Sequence, residues 1–97
     1  MKEKREEKLA ELSRGLANEH RIKILKILAS RPEEERCMVN DIVEELPITQ
    51  STVSQHLKVL KQTGWIKGEI EGPAVCYCLK KEAVENYKKL FQIALEA

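Results

Sequence analysis

The apolar period of this chain switches from helical to alternating at Gly64, and that switch restricts the fold more than any other feature. Before Gly64, apolar residues recur every three or four positions, as helices require; after it, they alternate on either side of a glycine-proline turn. Asn40 or Asp41 can cap a helix with Ile42, Val43 and Leu46 on its inner face, and Pro47 stops it. Thr49 caps the next helix, Gln50 to Gln62, with Val53, Leu57 and Leu60 as its inner stripe. Gly64 closes that helix as a C′ residue. Trp65, Lys67, Glu69 and Glu71 then alternate with Ile66, Gly68 and Ile70. Gly72-Pro73 turns the chain, and Ala74 to Leu79 alternates again. Two helices across a tight turn containing proline, followed by a β-hairpin, predict a winged helix-turn-helix.

The flanking segments extend that frame with helices. Leu9, Leu12 and Leu16 make one stripe over 2–16, behind two almost wholly charged turns. Gly15 is expected to weaken that helix, at about 1 kcal/mol against alanine. Asn18 caps a second helix carrying Ile22, Leu25, Ile27 and Leu28, which ends at Ser30-Arg31-Pro32. Cys37-Met38-Val39 is expected as a short edge strand. A last helix over 81–96 carries Ala83, Val84, Tyr87, Leu90, Phe91, Ala94 and Leu95. The expected fold is mainly α with a small β-hairpin, in the order α-α-(short β)-α-α-β-β-α. Residues 1–97 make one domain. The apolar stripes of 2–16 and 81–96 exceed what a chain of 97 residues can cover alone, so both are expected as dimerisation helices.

Composition removes several classes. Trp65, Tyr77, Tyr87 and Phe91 are the four aromatic residues, so the core is aliphatic. No apolar run approaches the ~20 residues of a membrane-crossing helix. The charged start, Met1 to Glu7, has no apolar region behind it and is not a signal peptide. Three cysteines are an odd number and make no disulfide framework, which points to a reducing cytoplasm. No nucleophile, base and acid stand together, so no enzyme is expected. The net charge of +1 excludes a uniformly basic, DNA-coating protein.

Charge distribution says more than net charge. Leu46 to Gly68 contains no Asp or Glu but holds Lys58, Lys61 and Lys67. The rest of the chain carries fourteen bases and sixteen acids, −2 in total. Solvated helix faces usually carry carboxylates, and this one carries none. The outer residues of the helix after Pro47 are hydrogen-bonding types suited to base edges and phosphates. Thr49, Gln50, Ser51, Thr52, Ser54, Gln55, His56, Lys58, Lys61 and Lys67 are the candidate DNA-binding set. The expected partner is double-stranded DNA, and no membrane.

Two segments carry a family resemblance. Leu16-Ala17-Asn18-Glu19-His20-Arg21-Ile22-Lys23-Ile24-Leu25 resembles the second-helix opening of ArsR/SmtB repressors. Gln50 to Leu60, followed by Gly64-Trp65-Ile66, is similar to that family's recognition helix and wing entry. The resemblance covers about residues 9–80. It implies a homodimeric transcriptional repressor, paired through its first and last helices. It also implies release from operator DNA when a metal, metalloid or oxidant reaches cysteine or histidine sites. One site of the family has a Cys-Val-Cys-Asp pattern; aligned on Asp41, its two cysteines fall on Met38 and Asn40, with Cys37 one residue earlier. Another uses acids and histidines of the last helix, and 81–96 contains no histidine.

Cys76 and Cys78 are the remaining thiol candidates, with Cys37 as a possible third member. Two apart on a strand, they leave the same face, with Cα atoms about 6.6 Å apart. That is close to the ~6.8 Å limit for a disulfide, whereas two sulfurs about 3.8 Å apart can share one soft ion. Val75, Tyr77 and Leu79 are expected to supply the buried face, leaving both cysteines outside the core. No cofactor is required; zinc, cadmium or arsenite is the effector class that thiolates suit. The alternatives are a winged-helix protein-interaction module and a regulator with no metal or redox inducer.

Overall fold

Local capping places most of the helices. The computed structural model describes residues 2–31, 38–71 and 74–96. Its elements run α1 (Lys2–Gly15), α2 (Glu19–Ala29), α3 (Val39–Val43), α4 (Gln50–Thr63), β1 (Ile66–Glu71), β2 (Ala74–Leu79) and α5 (Lys81–Leu95). The Asn18 side chain accepts the N–H groups of His20 and Arg21 at 2.8 and 3.3 Å and so starts α2. Thr49 starts α4 by accepting the Thr52 N–H. Gly64 ends α4 at φ 96°, a left-handed conformation that an L side chain rarely adopts.

The core forms where these helices meet the base of the hairpin. Leu12, Ile24, Leu28, Ile42, Leu46, Val53, Leu57, Leu60, Trp65, Ile66 and Ala83 make one buried cluster. α1 lies against α4 and α5, while α3 packs on α4. Trp65 joins the layers. Its indole N–H donates to the Leu12 carbonyl at 2.7 Å, taking up one of the acceptors left over at the end of α1. β1 and β2 pair antiparallel, with Ile66 opposite Leu79, Gly68 opposite Tyr77 and Glu69 opposite Cys76.

Two expectations need correction. Val39 opens α3 rather than ending a strand, because Met38 serves as the N-cap and its N–H donates to the Asp41 carboxylate at 2.9 Å. Cys37, the other end of that expected strand, lies outside the described residues. β1 and β2 are thus the strands among the described residues. The faces of β2 also differ from expectation. Cys76 is only 3% exposed, whereas Val75 is exposed. α2 and α3 both lie against β2, and Tyr77 and Leu79, on the strand face opposite Cys76, pack on the core cluster. The middle of β2 is therefore covered on both sides. Its outer end projects instead, where Val75 pairs with an Ile70 that is 82% exposed.

Candidate nucleic-acid interface

α4 divides cleanly into two sides. At about 100° per residue, Gln50, Ser51, Ser54, Gln55, Lys58, Lys61 and Gln62 fall within one arc of about 140°. All seven are exposed. Val53, Leu57, Leu60 and Thr63 lie on the other side and are buried. The buried Thr63 hydroxyl donates back to the Val59 and Leu60 carbonyls, so its burial leaves no polar atom unsatisfied. The exposed arc carries donors, acceptors and two ammonium groups, and no carboxylate. Gln62 was not in the sequence-derived set, although the same helical spacing places it on the arc.

The other expected contact residues divide three ways. Thr49 and Thr52 face each other across the first turn, with hydroxyl oxygens 2.9 Å apart, and stabilise the start of the helix. Lys67 leaves the exposed side of β1, with its Nζ 3.6 Å from Glu69. His56 lies away from the arc. It is half-buried, and its Nδ1 is 3.4 Å from Arg21 Nη1. The His20 ring is 6.0 Å away, centroid to centroid. Burial, then the Arg21 charge, then His20, hold the His56 imidazole below the ordinary histidine pKa. Arg21 was missed because it is 35 residues from His56 in sequence; no local pattern joins them.

The thiols are less favourably placed than expected. Cys76 is buried and Cys78 half-buried, and neither is in a disulfide. Among the described residues no three His, Cys, Asp or Glu side chains group as a metal-binding set. A closed zinc site takes four ligands, so Cys76 and Cys78 alone do not complete one. Cys37, one candidate for a third ligand beside a cysteine of a second copy, lies outside the described residues.

Comparison with known proteins agrees with this geometry. Residues 18–67 match the model of the bacterial regulatory protein, arsR family. An uncharacterised HTH-type transcriptional regulator of Methanocaldococcus jannaschii is 36% identical over 84 residues, covering 87% of this chain and 91% of the relative. The HTH-type transcriptional repressor SmtB of Mycobacterium tuberculosis is 45% identical over 69 residues, which is 71% of this chain but 48% of SmtB. Among solved structures, HlyU from Vibrio cholerae superposes with a TM-score of 0.70 at 27% identity, covering 94% of this chain and 96% of HlyU. The chain belongs to the arsR family of regulatory proteins, and it is a winged helix-turn-helix transcriptional regulator.

Proposed function

We propose that this chain is a homodimeric repressor that reads operator DNA with the exposed arc of α4. Gln50, Ser51, Ser54 and Gln55 meet base edges in the major groove, while Lys58, Lys61 and Lys67 meet phosphates. Thr49 and Thr52 hold the leading turn that enters the groove, and His56 supports the helix from behind. The observation that carries this reading is the acid-free arc, in a chain with sixteen acids elsewhere. Two copies related by a two-fold axis would present their α4 helices to half-sites about 34 Å apart. A dimer seated there blocks polymerase access by occupancy alone.

The test separates the roles along the helix. Lys58→Ala is expected to weaken binding to all duplexes alike and to make the salt slope shallower by about 1. Ser54→Ala or Gln55→Ala is expected to relax discrimination at one base position by about 1–3 kcal/mol. A Lys58→Ala protein that changes only sequence preference refutes the assignment. Binding indifferent to salt favours the protein-interaction alternative. Cys76 and Cys78, with Cys37, stand as the candidate effector thiols. Replacing both Cys76 and Cys78 with serine is expected to abolish any release from DNA by zinc, cadmium, arsenite or peroxide. Release at unchanged effector concentration places the sensor elsewhere.

A further inference from the structure

We propose that Arg21 is a positioning residue for the DNA-reading helix: from the first turns of α2 it ties His56 of α4 to the carbonyl end of α1. The proposal rests on the DNA-binding reading above. Arg21 Nε donates to the Gly15 carbonyl at 3.0 Å, and Nη2 donates to the Arg14 carbonyl at 3.2 Å. These are the last acceptors of α1, at the negative end of its dipole. The remaining arm, Nη1, is 3.4 Å from His56 Nδ1. One rigid fork therefore joins three helices, and its planarity fixes their relative placement. α1 is expected to pair with its partner copy, so the fork sets how α4 is held relative to the dimer axis.

The junction is conditional on proton occupancy. A guanidinium only donates, so His56 must accept at Nδ1 and carry its proton on Nε2. An imidazolium has no acceptor and would place a second cation against Arg21. The surrounding groups do not offset that charge. α2 contributes Arg21 and His20, preceded by Glu19. α1 contributes backbone carbonyls, and the Arg14 side chain is paired with Glu11 at 2.7 Å. The one-turn neighbours of His56 on α4 are Thr52, Val53, Val59 and Leu60, all uncharged. Protonating His56 therefore breaks the third arm. The sign follows from its lowered folded-state pKa. Stability from the junction is full above about pH 6.5 and is lost as pH falls below it through the folded value. If DNA selects the ordered junction, affinity falls in the same direction. A His56 facing phosphate would give the opposite sign, gaining affinity on protonation.

The experiment compares wild type, His56→Gln and Arg21→Gln on a duplex selected by the protein from a randomised pool, at about pH 7.5 and about pH 5.5. Glutamine at position 56 can still accept from Arg21 but takes up no proton. Wild-type affinity, normalised to His56→Gln, is expected to fall at the lower pH by less than the ~tenfold ceiling that an unshifted histidine would set. In the free protein, the thermal midpoint of wild type is expected to fall over that interval by more than that of His56→Gln. Arg21→Gln is expected to raise the His56 titration midpoint, followed by NMR, toward the ordinary histidine value, and to weaken sequence-specific binding. Parallel pH profiles for wild type and His56→Gln overturn the proposal, as does a relative gain in wild-type affinity at low pH. An unmoved His56 titration in folded Arg21→Gln overturns it as well. Wild type that binds no duplex at either pH overturns the DNA-binding reading and this role with it. The melting and NMR arms then still decide whether the junction itself exists.

Discussion

Gly15 stands where the end of α1 crosses the start of the wing, and a methyl group has no room there. A Cβ on Gly15 would lie 2.5 Å from Thr63 Oγ1 and 2.6 Å from Trp65 Cδ1. Neither neighbour moves freely: Thr63 is bonded to α4 carbonyls, and Trp65 is held by its bond to Leu12. In an isolated helix, glycine to alanine gains about 1 kcal/mol. Here the crowding term is larger and of opposite sign. Gly15→Ala is expected to destabilise the fold by about 1–3 kcal/mol, as overpacking of a filled core does. Thermal melting measures it, and an unchanged or raised midpoint shows that the crossing yields. Trp65→Phe probes the same crossing from the other side. It leaves the Leu12 carbonyl without its indole donor, at a cost of about 1–3 kcal/mol.

Thr49 links the stability of α4 to its surface chemistry, and one substitution separates the two. Aspartate caps helices at least as well as threonine and suits the positive end of the helix dipole. Thr49→Asp is therefore expected to hold or slightly raise the melting midpoint. It also puts a carboxylate at the leading edge of an arc that has none, so duplex affinity is expected to fall severalfold by phosphate repulsion. Equal affinity in the two proteins at low salt shows that the start of α4 does not approach DNA. The caps at Asn18, Thr49 and Gly64 were legible in the sequence because each acts within four residues of itself. The stripe of α4 was legible for the same reason, and with it most of the candidate site. The Met38 cap was hidden, since methionine is no capping type and the N3 carboxylate of Asp41 supplies the side-chain bond instead. The burial of Cys76 was hidden too. Alternation identifies two faces of a strand, but here Cys76 is buried on the face opposite Tyr77 and Leu79, in a strand that α2 and α3 both approach. The fork of Arg21 joins residues far apart in sequence, so it leaves no periodic trace.

At the scale of the molecule, an aromatic series runs from the core to an uncovered apolar end. Trp65 and Tyr87 have ring centroids 5.3 Å apart, and Tyr87 stacks near Phe91 at 6.3 Å with planes 2° apart. The Tyr87 hydroxyl meets Ser13 Oγ at 3.0 Å, fixing α5 to α1. Beyond that link the series opens to solvent, with Phe91 51% and Leu95 71% exposed. The radius of gyration is 14.3 Å, against about 13 Å for a compact domain of this size. α5 thus carries apolar surface that the single chain does not cover, at Phe91, Ile93 and Leu95, on one of the two helices expected to join two copies. Phe91→Glu is expected to yield a monomer in sedimentation at micromolar concentration, since a carboxylate buried without a partner at an interface is costly. The exposed arc of α4 is untouched by that change, so each monomer can still meet one half-site. What is lost is the linkage between half-sites, which is worth about 10²–10⁴-fold in affinity for two joined modules. Binding to a duplex with two half-sites should therefore fall by that order, while binding to an isolated half-site stays near the wild-type value. A variant that remains dimeric, or one that loses both duplexes equally, shows that the interface lies elsewhere or that Phe91 serves the fold.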